Sequence, residues 1–262
     1  MKRLLKDILT KSGLLYKIQF MHWYRQWQRP LYRQKMKTLF ALYDQVLPPR
    51  KGLRIFDIGA NQGDYSYVFS KYAQCLLIVE PDLVNQQILT SRFGSRSKCV
   101  IVPKAVSSVC GKARFHVLSK GNALNSLSEK WMNSVQNRES RHFRSGEQVK
   151  ETIEVETTTL DALIDEYGKP DYVKIDVEGL EKEVITGLGQ TVSLLSFECN
   201  LPDFKEETLW IISHLHQLNP NVQFNYVRDK GLELDQSMAA VPFKQFVENT
   251  SLRFMEIFCF NE

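Results

Sequence analysis

Residues 53–63 read Leu53-Arg54-Ile55-Phe56-Asp57-Ile58-Gly59-Ala60-Asn61-Gln62-Gly63. A nearly continuous apolar run ends in a loop bounded by two glycines, and a helical stretch, 65–72, follows. Continuous apolar runs mark strands covered on both faces, as in a parallel sheet between helix layers. Gly59 admits a tight turn, and Gly63 lets the start of the helix pack closely. The next run, Cys75–Glu80, ends in an acid. A carboxylate at that point can accept both hydrogen bonds of a ribose diol. Strand, glycine loop, helix, strand and acid in this order point to a nucleoside site at the carboxyl edge of an open α/β sheet.

Further runs of the same kind cover Lys98–Val106, Ala113–Leu118, Thr152–Thr157, Tyr172–Val177, Leu194–Cys199, Gln223–Val227 and Phe254–Phe260. Alternating with helical stretches, they predict a doubly wound, mixed and mostly parallel sheet with helices on both faces. The terminal runs are expected at its antiparallel edge. Residues 119–151 interrupt the alternation with a polar stretch holding Trp131, His142 and Phe143, which reads as a lid-like insertion.

The chain has 262 residues, 43% apolar and 24% charged, a globular composition with no apolar run long enough to span a bilayer. Its net charge of +4 hides an asymmetry. Residues 1–52 hold twelve Lys/Arg and two Asp/Glu, whereas the other 210 hold 22 and 28. Residues 1–50 are therefore read as a basic helical extension, and 51–262 as the main domain. In the extension, Tyr16, Phe20, Trp23 and Trp27 form one helical stripe, with Lys17 and Arg25 off it. Such a stripe fits a membrane or anionic surface contacted through residues 1–30, or docking on the protein's own body or a second copy. Pro30 begins a second helix with Met36, Leu39, Phe40, Tyr43 and Val46 on its apolar face, stopped by Pro48 and Pro49. Charged residues interrupt the first fifteen positions, which excludes a signal peptide. Five unpatterned cysteines point to reduced thiols in the cytoplasm, and His214 and His216 do not share a ligand face, so no metal is expected.

A dinucleotide would prefer Gly-x-Gly-x-x-Gly, whereas here Asn61 takes the middle glycine's place. Asp57, expected in the mouth of the loop, would repel a pyrophosphate and suits a cationic ligand such as S-adenosylmethionine. A second block is Lys174-Ile175-Asp176-Val177-Glu178-Gly179. Read as a strand, it puts Lys174, Asp176 and Glu178 in one polar row ending at the carboxyl edge. Buried charges in such a row are costly unless paired or used. Glu198, ending the next strand, is a third candidate carboxylate there.

These segments resemble the FkbM methyltransferase family. The resemblance rests on Phe56–Gly63, on Val79-Glu80-Pro81, and on Thr159-Leu160-Asp161 followed by Val173–Glu181. It extends to Gly187, Phe197-Glu198, Ala105–Gly111 and Asn125-Ser126-Leu127. It spans roughly residues 53–200. It implies a class I, Rossmann-like S-adenosylmethionine-dependent methyltransferase acting on hydroxyls of sugars, glycans or other natural products. By position it implies Gly59, Asn61 and Gly63 at the methionine end, Glu80 at the ribose, and Ala105 and Val106 near the adenine. Ser126 and Glu198 then fall on the acceptor side. An alcohol must lose its proton during attack, and a carboxylate whose pKa is raised by a neighbour can take it. Asp176 or Glu178, beside Lys174, is the expected base or acceptor anchor, with His116 and His142 as rivals. A nucleic-acid methyltransferase is the alternative enzyme, and a nucleoside-binding or membrane-docking module without catalysis is the alternative outside enzymes. The absence of an Asp-Pro-Pro-Tyr-like motif speaks against methylation of a base, so no nucleic-acid partner is favoured. Self-association stays open.

Overall fold

The computed structural model describes residues 30–49, 52–119, 121–137, 149–228 and 231–261. The aromatic stripe of residues 16–27, and with it His142 and Phe143, lies outside them. An eight-stranded sheet forms the centre. Its strands are β1 (Leu53–Ile58), β2 (Ala73–Val79), β3 (Cys99–Val102), β7 (Tyr172–Ile175), β8 (Leu194–Asn200), β9 (Gln223–Val227), β10 (Met238–Ala239) and β11 (Phe254–Phe260). They run in the order β10-β9-β11-β8-β7-β1-β2-β3. The pairs β1–β2, β1–β7, β2–β3 and β7–β8 are parallel. The strand order reverses at β1, so the carboxyl ends of β1 and β7 flank the crevice where open α/β sheets bind ligands.

Helices cover both faces because the strands are apolar on both. Phe56, Leu77, Val173 and Phe197 face α5 (Leu160–Tyr167), α6 (Glu181–Thr186), α7 (Lys205–Leu218) and α8 (Ala240–Asn249). Ile55, Leu76, Ile78 and Tyr172 face α1 (Pro30–Val46), α2 (Asp64–Phe69) and α3 (Leu83–Phe93). Helix α1 begins at Pro30, as expected, and joins this second core through Met36, Leu39, Leu42 and Tyr43. Tyr43 is fully buried, its ring edge-on to Phe69 at 4.8 Å. No helix among the described residues is long and apolar enough to cross a membrane.

Three expectations are corrected. The last strand is not at the edge: β11 lies between β8 and β9, antiparallel to both. Its almost unbroken apolar run, Phe254-Met255-Glu256-Ile257-Phe258-Cys259-Phe260, suits a strand covered on both faces better than an exposed edge. The run Lys98–Val106 is two strands, because Pro103 interrupts it. Only β3 belongs to the main sheet, and β4 (Ala105–Val106) joins β6 (Glu151–Thr158) and β5 (Gly111–Val117) in a separate sheet ordered β4-β6-β5. There Thr152-Ile153-Glu154-Val155-Glu156 alternates with period two, the pattern of a strand buried on one face. Finally, the lid-like stretch holds helix α4 (Glu129–Asn137), which buries Trp131, Met132 and Val135 against Leu118 and Phe204.

Candidate active site

A chamber of about 330 Å³ sits at the carboxyl ends of β1, β2 and β7. Its walls are the loop Gly59–Gln62, then Val79–Pro81 and Asn85, then Lys104–Val106 with Phe115, then Gly121–Ala123 and Asn125–Leu127, and finally Asp176–Glu178 with Leu180. Lys35 of α1, with Asp64 and Tyr65 of α2, completes the lining.

The glycine loop is tied down from both ends. Gly59 and Ala60 both donate backbone N–H groups to the Val79 carbonyl at 3.0 Å. Glu80 holds the loop with its side chain. One carboxylate oxygen accepts from Asn61 N at 2.7 Å, and the other accepts from Asp82 N at 2.8 Å. Asn61 therefore sits with φ at 48°, in the left-handed region. The Asn85 side chain also hydrogen-bonds the Glu80 carboxylate, whose roughly four acceptor sites still leave room for a ligand hydroxyl. Asn85, only 1% exposed, lines the same wall, and its side-chain oxygen has no hydrogen-bond partner among the described residues. Buried polar atoms are rarely left unpaired, so this one calls for a ligand donor. Its position, five residues past Glu80 on α3, gave no sequence signal for such a role.

The expected loop residues separate. Gly59 and Asn61 line the chamber, as do Ala105 and Val106. Asp57 is not in the loop's mouth. It is an inward-facing residue of β1, 1% exposed, and it accepts a hydrogen bond from the Ser66 hydroxyl beneath the loop. Strand alternation turns Asp57 under α2, not outward. Gly63 is likewise outside the lining. A Cβ there would meet the Phe93 and Leu89 side chains, so this position serves the packing of α2 on α3.

The polar row also differs from a simple strand. β7 ends at Ile175, and Glu178 adopts φ 54°, which breaks the period-two alternation. Lys174 is fully buried behind the wall, with Nζ 2.8 Å from Asp176 Oδ2 and 4.2 Å from the centre of the Tyr65 ring. Asp176 and Glu178 reach the chamber, and Glu198 lies outside its lining. Glu181 holds the turn together, its Oε1 accepting from Gly179 N at 3.2 Å and Val177 N at 3.4 Å. Ser126 lines the chamber, but its hydroxyl donates to the Glu178 carbonyl at 2.8 Å. His116 pairs with Thr152 on the small sheet, outside the chamber lining. Among the described residues, no group of three or more His, Cys, Asp or Glu side chains is placed to hold a metal ion.

A family model described as "Methyltransferase FkbM domain" matches residues 57–233, which hold the glycine loop, Glu80, Asn125-Ser126 and the Lys174–Glu181 block. The chain belongs to the FkbM methyltransferase family. No curated protein matches it. Among solved structures it is similar to precorrin-6y C5,15-methyltransferase from Geobacter metallireducens. That match has 12% identity and a TM-score of 0.42, covering 86% of this chain and 87% of that one. It is also similar to the plantazolicin methyltransferase BpumL in complex with a monoazolic desmethylPZN analog and SAH, with 10% identity and a TM-score of 0.43, covering 99% and 94%. A third is precorrin 8w decarboxylase from Methanobacterium thermoautotrophicum, with 10% identity and a TM-score of 0.42, covering 86% and 89%.

In this FkbM methyltransferase, burial sets the charge state of the site. It pushes the Asp57 carboxyl up to about 6 and those of Glu80 and Glu181 up to about 7. Burial raises Glu178 as well, well above the usual carboxylate range, and the negative charges of Glu198 and Asp176 add to it. Each such acid holds its proton more tightly folded than unfolded. Its stabilising effect is complete below the unfolded pKa, near 4, and is lost as pH rises through the folded value. The protein without ligand is therefore expected to melt at least about 5 °C higher at pH 5.5 than at pH 8. Scanning calorimetry across that window checks this, and a midpoint that climbs towards pH 8 contradicts it.

Proposed function

We propose that this methyltransferase uses S-adenosylmethionine to methylate a hydroxyl of a sugar, glycan or other natural product. The observation carrying this reading is the pairing of two walls. One offers Glu80, the unpaired Asn85 oxygen and the backbone of the glycine loop, which suit a nucleoside. The facing one offers Asp176 and Glu178. Glu80 would hold the ribose, Asn85 would accept a donor of the nucleoside, and Ala105 and Val106 with Phe115 would flank the base. The cofactor would supply the electrophilic methyl group, and the acidic lining suits its cationic charge.

The chain's own part is to orient the hydroxyl and take its proton. Asp176, ion-paired to Lys174, is a fixed anion suited to anchoring the acceptor. Glu178, whose carboxyl is raised by burial and by the charges of Glu198 and Asp176, binds a proton more readily than an ordinary carboxylate and is the proton acceptor. Isothermal calorimetry with S-adenosylmethionine tests the reading. The wild type is expected to bind, and Glu80→Ala to weaken binding at least about tenfold by removing a buried charged hydrogen-bond acceptor. Asp176→Asn is expected to keep binding and to abolish methyl transfer to hydroxylated acceptors. A wild type that shows no binding heat removes the proposal.

A further inference from the structure

We propose that Asn125 and Ser126 form a strut that fixes the two walls of the chamber relative to each other, which makes Ser126 a positioning residue for Glu178. This rests on the preceding reading only in treating Glu178 as the residue that meets the acceptor. Neighbouring side chains reach opposite walls. The Asn125 amide donates to Asp82 Oδ2 at 2.9 Å, and the other carboxylate oxygen of Asp82 caps α3 just beyond Glu80. One residue on, the Ser126 hydroxyl donates to the Glu178 carbonyl at 2.8 Å. Asn125 is 8% exposed and Ser126 1%, so water does not compete well for these bonds.

The strut is itself anchored. Ser126 exchanges backbone bonds with His116 of β5, at 2.8 and 3.2 Å, and the Asn125 side-chain oxygen accepts from Leu118 N at 2.9 Å. What it holds needs holding. Glu178 has φ 54°, a conformation that L-residues avoid, and such a residue persists only where its surroundings over-determine it. The next residue is wedged from the other side: a Cβ on Gly179 would lie 2.9 Å from the Phe204 ring and 3.0 Å from Trp131 Cβ. Both Trp131 and the strut belong to the 119–137 stretch. That stretch thus positions the acceptor-side carboxylate through the backbone and does more than cover the site.

Amide hydrogen exchange resolved over residues 177–180, without ligand, tests this. Ser126→Ala keeps the backbone bridge to His116 and is expected to speed exchange in that turn about tenfold, because the Glu178 carbonyl loses its hydroxyl donor and the Ser128 N–H loses the same hydroxyl as acceptor, while strands β1 and β2 keep wild-type protection. Ser126→Thr, which keeps a hydroxyl, is expected to restore the slow rate. Wild-type rates in Ser126→Ala overturn the proposal. If that variant loosens throughout, Ser126→Thr is compared with Ser126→Val, which has the same shape without the hydroxyl. A tenfold difference confined to the turn supports the strut, and equal rates overturn it. Calorimetry of S-adenosylmethionine on the wild type reads the proposed function separately, because the exchange comparison needs no ligand.

Discussion

Lys174→Met is expected to cost about 3–5 kcal/mol of folding stability at pH 8, and clearly less at pH 5. The lysine is fully buried in the row Asp57–Lys174–Ser196, which runs straight across β1, β7 and β8. Beyond it, Glu198 faces Glu256 across β8 and β11, and Glu256 accepts from the Ser196 hydroxyl at 2.7 Å. Lys174 is the shared counter-charge. Its positive charge pulls down the carboxyls of Asp57, Glu178, Glu198 and Glu256, all of which burial raises. Breaking a buried pair leaves charges that neither water nor a partner compensates. Without the cation those acids rise further in the folded state only. Their unfolded values stay near 4, so the variant loses stability more steeply than the wild type as pH increases. As pH falls through their folded values these acids take up protons in both proteins, and the gap narrows. Urea unfolding of both proteins at the two pH values decides it. An equal loss at pH 5 and pH 8 would mean that the ammonium acts by filling space and not by charge.

The same row explains what sequence reading reached and what it missed. Strands covered on both faces announce themselves as mostly apolar runs, and residues 53–58 and 254–260 form β1 and β11 with the expected bounds, as does the less apolar 223–227 in β9. The family blocks were legible for the same local reason, since the loop, Glu80 and the Lys174–Glu181 segment are each continuous in sequence. The end of β7 was not, because Asp176-Val177-Glu178 keeps the polar and apolar alternation of a strand while the backbone has already turned. Asp57 was misplaced because adjacency to a loop says nothing about which side of a sheet a residue faces. Asn85 escaped notice, and Asn125 was legible only as part of the family block Asn125-Ser126-Leu127, because what each side chain does depends on groups outside its own segment. Asn125 bonds Asp82 across 43 positions, and the Asn85 oxygen is conspicuous only once it is seen to lack a hydrogen-bond partner among the described residues.

Gly59→Ala is expected to be the most damaging single methyl in the protein, with a loss of at least about 4 kcal/mol and no cofactor binding by the fraction that folds. Two costs combine. At φ 79° an alanine pays about 1 kcal/mol or more for the left-handed conformation. Its Cβ would also lie 1.8 Å from the Asp176 carbonyl oxygen and 2.7 Å from the carbon of the same group. Neither neighbour can swing away. Asp176 N is bonded to the Ile58 carbonyl at 2.9 Å, and Gly59 N to Val79 across the sheet. The methyl must therefore push the ends of β1 and β7 apart, and these ends carry the glycine loop and the acidic wall. Gly63→Ala is the control, with nearly the same φ, 77°, but with only the ends of the Phe93 and Leu89 side chains in the way. Side chains relax where backbone does not, so Gly63→Ala is expected to lose at least about 2 kcal/mol less in urea unfolding. If the two alanine variants prove equally stable, the close contact between Gly59 and Asp176 is not what joins the two walls.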